Sequence, residues 1–323
     1  MCTAITFRTD QHYFGRNLDL EYHYDEAVTV TPRNLPLHFR EVPSLSTHYA
    51  MIGMATTVNG YPLYYDATNE YGLSMAGLNF KDNAVYYPKA DAYDNIAPFE
   101  FIPWILGQCK TVSEAEDAIC RMNLAKIPFS DDYPLTPLHW LIADATNCIT
   151  VEPLKEGLRV WHNPVGLLTN NPPFAFHMHH LAHYTNLHCS DTAMLFADTI
   201  PVHPYSHGLG AVGLPGDLSS ASRFIRAAFT KFNSICEPDE ESSVNQFFHI
   251  LRSVAQQNGC CRTKHGLERT IYSSCCNTDT GTYYYTTYEN SQLTAVRMHN
   301  CNLGGNTLEI FPLKRNNSIH FEN

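Results

Sequence analysis

The residue with the most chemistry within reach is Cys2. Aminopeptidases remove an initiator methionine when the residue after it is small, and cysteine qualifies. Loss of Met1 would place a thiol and a free α-amine on one residue. The thiolate is a strong nucleophile near neutral pH. An α-amine, with an ordinary pKa of about 7.7–8.0, exchanges protons readily in that range. One residue could then supply both nucleophile and base. Phe14-Gly15-Arg16-Asn17-Leu18-Asp19 follows the first strand-like run by one turn, so it can fold back on Thr3–Arg8 as a hairpin and bring Arg16 and Asp19 close to Cys2. A guanidinium beside a thiol favours the thiolate, and a carboxylate holds and orients an ammonium. Taken alone, Arg16 and Asp19 would equally make an ordinary strand-end ion pair.

The elements that must position these groups are mostly strands. Short runs rich in Thr, Val, Ile and Tyr predict strands at Thr3–Arg8, Tyr13–Arg16, Ala27–Thr31, Tyr49–Thr57 and Leu73–Leu78. Helices are predicted over Pro98–Gly107, with proline in the first turn, and over Val112–Met122, with Thr111 or Ser113 near its cap. Strands follow at Leu138–Ala143, Ile149–Pro153, Leu158–Trp161 and Gly166–Thr169, then a helix near Phe174–Asn186. Residues 189–220, with Pro201, Pro204 and Pro215 among several glycines, predict a loop. Ser219-Ser220-Ala221-Ser222 caps an amphipathic helix over Arg223–Phe232, and a helix over Val244–Gln257 follows the acidic run Glu237–Glu241, a dipole-matched helix start. Strands return at Thr270–Cys276, Thr282–Glu289, Leu293–His299 and Leu308–Phe311, with a hairpin turn at Asp279-Thr280-Gly281. Strands, then helices, then strands predict one α+β domain over residues 1–323, its helices packed over antiparallel sheets.

Composition narrows the function. The 323 residues are 44% hydrophobic and 12% aromatic, enough for a substantial core, and only 16% charged. The net charge of −11 makes nucleic acid a poor partner, because phosphate neutralisation needs a basic face. There is no apolar run of about 18 residues to span a membrane. Ala4-Ile5-Thr6-Phe7 is stopped by Arg8 and Asp10, unlike a secretory signal, so a cytoplasmic protein is expected, and its eleven cysteines read as reduced thiols.

Three motifs carry less than they suggest. Gly208-Leu-Gly210-Ala-Val-Gly213 matches a dinucleotide-binding pattern, but Pro204 precedes it, and Pro215 and Gly216 interrupt the helix it should open, so a loop is expected. His177-Met-His179-His180-Leu-Ala-His183 pairs His179 with His183 and His177 with His180 on helix faces, yet lacks a glutamate between them and evident further ligands. An exposed or aromatic-lined helix is expected there, with no metal and no cofactor. The adjacent pairs Cys260-Cys261 and Cys275-Cys276 point to opposite strand faces and read as buried, inert thiols.

Six separated blocks, in order, resemble the choloylglycine hydrolase family, the bile salt hydrolases and penicillin V acylases among the N-terminal-nucleophile hydrolases. They are Met1-Cys2-Thr3, Phe14–Asp19, Asn69-Glu70-Tyr71-Gly72-Leu73, Gly77-Leu78-Asn79-Phe80, Leu168-Thr169-Asn170-Asn171-Pro172, and Leu214-Pro215-Gly216-Asp217 leading to Ala221-Ser222-Arg223-Phe224. The resemblance is nearest to bile salt hydrolases of gut bacteria. It implies an αββα sandwich of two antiparallel sheets between helical layers, and Cys2 as nucleophile once Met1 is gone. It also implies site roles for Arg16, Asp19, Asn79, Asn170 and Arg223. By position in the family pattern, Leu18, Val58, Phe129 and Tyr133 would line the substrate pocket, though all four are equally plausible core residues. Family members are commonly tetramers, so a homo-oligomer is expected.

The implied substrates are glycine- and taurine-conjugated bile acids. Asn79 is what bile salt hydrolases carry where many penicillin V acylases have tyrosine, which favours bile salts over penicillin V or another acyl amide. Val58 stands where some relatives have an aromatic. Amide hydrolysis passes through a tetrahedral oxyanion, for which the Asn170 side chain and the backbone or side chain of Asn79 are suitable donors. Either asparagine could instead be only a turn residue. Arg223, unfavourably placed for a helix dipole, calls for a partner carboxylate or a role in the site, with an ordinary surface arginine as the alternative. An anionic substrate is repelled at long range by a chain of this charge, so attraction must be local, with Arg16 and Arg223 the nearest cations. A thioester could pass to water or to another amine. While Met1 is attached the α-amine is not on Cys2, and such a chain should be inactive.

Overall fold

The structure, a computed structural model, describes residues 1–190, 197, 199–200 and 203–323. Strands β1 (Cys2–Arg8) and β2 (His12–Leu20) make the expected hairpin, with Cys2 opposite Leu18 and Ala4 opposite Arg16. The chain then lays down β3 (Ala27–Thr31), β4 (Met51–Val58), β5 (Tyr61–Asn69) and β6 (Ser74–Asn79) as an antiparallel meander. Next come β7 (Asp94–Ile96), helices α1 (Phe101–Leu106) and α2 (Val112–Ile119), and β8 (Met122–Leu124), which pairs β7 in parallel. Strands β9 (Leu138–Ala143), β10 (Cys148–Leu154) and β11 (Gly157–His162) extend the meander, and β12 (Leu167–Leu168) crosses to β1. Helices α3 (Phe174–Leu181), α4 (Ser220–Asn233) and α5 (Glu240–Arg252) lead to β13 (Cys261–Thr263), β14 (Gly266–Asn277), β15 (Thr282–Thr287), β16 (Thr294–Arg297) and β17 (Glu309–Pro312).

Two antiparallel sheets result. One runs β12-β1-β2-β14-β15-β16 with β13 attached to β14, and the other runs β11-β10-β9-β6-β5-β4-β3-β17. The strand period of two separates the faces of the second sheet. Val28, Val30, Ile52, Met54, Ala76 and Leu78 share one core with the first sheet and with α4 and α5. Met51, Met75, Ile142, Ile149 and Val151 share another with α1 and α2. The layers are therefore helix, sheet, sheet, helix, the expected αββα sandwich.

The departures from the sequence reading are local. Strand β5 is absent from it, although Asn59 and Gly60, both at positive φ, form the two-residue turn that joins β4 to β5. Helix α3 stops at Leu181 and tightens into a 3-10 turn over Ala182–Tyr184. Helix α4 begins at Ser220, because the Ser219 hydroxyl accepts the Ser222 N–H, so Arg223 lies one turn inside. Helix α5 begins at Glu240, capped by Asp239, so only Glu240 and Glu241 of the acidic run lie in its first turn, and the helix ends five residues early. Of the expected loop, residues 191–196, 198 and 201–202, Pro201 among them, lie outside the described residues. From Gly208 onward the described part holds a 3-10 turn, with Gly208 and Gly213 at positive φ, and opens no helix after a strand.

Candidate active site

Cys2 begins β1 and is 2% exposed. Alternation along the hairpin puts Cys2, Arg16 and Leu18 on the face turned towards the second sheet, and Thr3, Asn17 and Asp19 on the other. On the inner face lies a cavity of about 420 Å³. Cys2, Arg16, Leu18, Tyr65, Gly77 and Asn79 form its inner wall, while Leu20, Tyr24, Phe99, Ile102, Phe129 and Tyr133 supply most of its apolar surface. Phe129 meets Phe99 and Tyr133 edge-on, with ring centroids 5.1 and 5.9 Å apart.

Arg16 crosses between the sheets. Its Nη1 donates to Tyr65 O at 2.9 Å and to Gly77 O, and its Nε donates to Asn17 O at 3.4 Å, while Nη2 has no protein partner. Burial opposes its charge, but Cys2, Tyr272, Asp66 and Asp19 around it hold its pKa above the ordinary value. Asp66 is itself fixed from the opposite sheet, accepting the hydroxyls of Tyr272 at 2.6 Å and Tyr283 at 2.7 Å.

Asn170, just past β12, gathers the rest. Its Oδ1 accepts the Cys2 N–H at 2.7 Å and Arg223 Nη2 at 2.7 Å, and its Nδ2 donates to Asn79 O at 2.7 Å. Its own N–H goes to Ser220 Oγ at 2.8 Å. Asn79 ends β6, and its side-chain oxygen turns back to the Lys81 N–H at 3.0 Å. Because Phe80 N bonds Pro137 O at 2.8 Å, the alternation of an antiparallel ladder directs the Asn79 N–H away from β9. Arg223 is wholly buried and donates to Cys2 O and Thr3 Oγ1, both at 2.6 Å, and to Leu218 O at 3.0 Å. Burial lowers its pKa, with Asp19 and Cys2 acting against that. Among the described residues no carboxylate bonds it directly. The backbone carbonyl of Cys2 and the Asn170 amide take its donors.

Asp19 lies opposite Met1, on the outer face. Its backbone exchanges hydrogen bonds with Met1 at 2.8 and 2.9 Å, and the Met1 ammonium also pairs with Glu268. Thr270 Oγ1 donates to Asp19 Oδ1 at 2.7 Å, but Asp19 Oδ2 is buried without a partner. Burial pushes the Asp19 carboxyl above its usual range, opposed by the chain-terminal ammonium and Arg223. Arg16 and Asp19 do not form an ion pair, since residues three apart on a strand face opposite ways.

The fold thus brings Cys2, Arg16, Asp19, Asn79, Asn170 and Arg223 around one strand end. Leu18, Phe129 and Tyr133 line the cavity. Val58 does not: it closes β4 opposite Tyr61, outside the lining. Nor does Arg223, which lies behind the sheet, so Arg16 is the one cation among the described lining residues and Glu21 and Asp132 add negative charge. Sequence reasoning missed Tyr24, Tyr65, Asp66 and Phe99. The Asn59-Gly60 hairpin signal would have pointed to Tyr65 and Asp66. Cys275 and Cys276 are buried as expected, whereas Cys260 is exposed and Cys261 half-buried, because β13 is a short edge strand. Among the described residues, no group of three or more His, Cys, Asp or Glu side chains is placed to hold a metal ion, and no helix is long and apolar enough to cross a membrane.

Residues 2–311 match the family of linear amide C–N hydrolases described as the choloylglycine hydrolase family. A bile salt hydrolase/transferase of Lactiplantibacillus plantarum is 52% identical over 316 residues, 97% of each chain. One from Clostridium perfringens is 38% identical over the whole of both chains. A crystal structure of the C2A mutant conjugated bile acid hydrolase from Clostridium perfringens superposes with a TM-score of 0.93 at 37% identity, covering all of both chains. Penicillin V acylase from Agrobacterium tumefaciens shares the fold, with a TM-score of 0.75 at 18% identity over 96% of this chain and 90% of its own.

Proposed function

Because the chain belongs to the choloylglycine hydrolase family of linear amide C–N hydrolases, we propose that it cleaves the amide bond of glycine- and taurine-conjugated bile acids, with Cys2 as the nucleophile after removal of Met1. The observation that carries this reading is the setting of Cys2: its thiol borders a largely apolar cavity while its nitrogen lies 2.7 Å from Asn170 Oδ1. Relatives at 52% and 38% identity named for bile salts support the substrate class.

The steroid's rigid apolar body suits the wall of Leu20, Tyr24, Phe99, Phe129 and Tyr133. Cys2 Sγ attacks the amide carbon, and the oxyanion takes a hydrogen bond from the second N–H of Asn170 Nδ2 and one from the backbone N–H of Asn79. Arg16 stabilises the thiolate from the same face. Once Met1 has left, the new α-ammonium of Cys2 finds in Asp19 Oδ2 a buried acceptor with no other partner. In its neutral form, accessible because an α-amine has an ordinary pKa of about 7.7–8.0, the same group takes the thiol proton, becomes the ammonium held by Asp19, and passes that proton to the departing glycine or taurine nitrogen as the C–N bond breaks. The cholyl thioester that remains is hydrolysed by water, with the same amine as base. Two of the relatives are named hydrolase/transferase, which supports a second fate for the thioester, capture by an amine in place of water.

The test is taurocholate hydrolysis by Cys2→Ser and Cys2→Ala. Both are expected to lose turnover, and retained activity in both would overturn the reading.

A further inference from the structure

One histidine of the His177–His183 segment behaves unlike the others. His179, His180 and His183 make edge contacts among themselves, with His183 centroids 6.1 Å from His179 and 5.5 Å from His180. His177 is wholly buried. Its ring lies nearly parallel to Phe224 of α4, centroids 4.8 Å apart at 15°. Its Nε2 is 2.9 Å from the Asn170 carbonyl oxygen. A carbonyl only accepts, so Nε2 carries the proton, and Nδ1 is buried with no partner. Burial holds the ring down to a pKa of about 4, so it is neutral at physiological pH. The preceding carbonyl, Thr169 O, faces Nε2 of a second buried ring, His139, at 3.0 Å. With the Asn170 N–H on Ser220 Oγ, the peptide groups on both sides of Asn170 are pinned, and only its side chain reaches Cys2 and Asn79.

We propose that His177 is a positioning residue for the reaction: held against Phe224, it donates to the Asn170 carbonyl and so fixes where the Asn170 side chain lies relative to Cys2. The inference rests on the reading above, in which Asn170 serves the oxyanion. Its physical basis is that an oxyanion donor must be held to within about 0.5 Å of its productive position, about 2.7–3.1 Å from the developing charge, and a slack backbone at Asn170 would let its amide wander.

Two substitutions separate positioning from packing. His177→Phe keeps a ring against Phe224 and removes the donor. His177→Gln keeps an N–H donor and loses the ring. With taurocholate, His177→Phe is expected to lower kcat about 10–100-fold with KM changed by less than about twofold. His177→Gln should recover most of that loss in kcat even if its thermal midpoint is the lower of the two. A His177→Phe enzyme with wild-type kcat, or a folded His177→Gln enzyme as slow as His177→Phe, would overturn the proposal. Nitrogen NMR of the unmodified enzyme is a check that needs no variant. It should find His177 as the Nε2–H tautomer throughout about pH 5.5–7.5, and an Nδ1–H ring or one titrating in that window would contradict it. Activity that survives Cys2→Ala would sink the underlying reading while leaving the tautomer result intact, so the two failures are distinguishable.

Discussion

Asn170 accepts the backbone N–H of Cys2 on its side-chain oxygen at 2.7 Å, and the same oxygen accepts Arg223 at 2.7 Å. That shared atom joins β1, the strand end after β12 and helix α4 at one point. It leaves the amide nitrogen of Asn170 beside Asn79, with one N–H bonded to the Asn79 carbonyl and one to offer. Three elements far apart in sequence thus meet on one side-chain amide.

Asn170→Ala should accordingly cost far more in kcat than in KM. Removal of an oxyanion donor typically slows turnover about 10²–10³-fold. Steady-state kinetics on taurocholate give the split, and a rise in KM at unchanged kcat would assign Asn170 to substrate binding instead.

Arg16 and Asp66 anchor the two sheets to each other. Removing Arg16 leaves the Tyr65 and Gly77 carbonyls without their donor and Asp66 buried without its cation. Arg16→Leu should lower the unfolding free energy by about 3–5 kcal/mol. Asp66→Asn should cost less by at least about 1 kcal/mol in that background than in the unaltered protein. Urea titrations of the four proteins measure the coupling, and equal costs in both backgrounds would mean that the two residues act independently.

The fold should weaken in mild acid because of buried histidines. His12, with Nδ1 3.0 Å from Thr278 Oγ1, is held by burial at a pKa of about 4, as is His177. Both values lie below the 6.5 of a free imidazole, so below pH 6.5 the unfolded chain takes up protons that the folded chain refuses. Their stabilisation is complete above pH 6.5 and is lost as pH falls towards 4. Between pH 6.5 and 5 the loss is about 2 kcal/mol for each ring. His12→Gln should therefore flatten the dependence of the urea midpoint on pH across that interval, and an unchanged slope would exclude His12 from it.

The sequence made some of this legible and not the rest, for physical reasons. The Cys2–Arg16 side of the site could be read because β1 and β2 are joined by a tight turn, so local pairing fixes their register. The opposite facing of Arg16 and Asp19 also follows from strand alternation, which separates residues three apart. Asn79, Asn170 and Arg223 came from resemblance alone. Asn79 and Asn170 sit at or just past strand ends and Arg223 one turn inside α4, and they meet only through packing between layers that no local pattern encodes. Val58, the last residue of β4 before the turn, falls outside the cavity lining although Thr56, two residues earlier on the same face, is within it. Strand β5 escaped notice because Pro62 and its run of tyrosines weaken the alternation, even though Asn59-Gly60 announces the hairpin.

The central claim is that Cys2, freed of Met1, carries the acyl group. Intact-mass measurement of rapidly quenched enzyme after a taurocholate pulse tests it most directly. The account predicts a chain lighter by one methionine that transiently gains one cholyl group, mapped to the Cys2 peptide and absent in Cys2→Ala. Full turnover by a chain that still bears Met1, or an adduct on any other peptide, would contradict it.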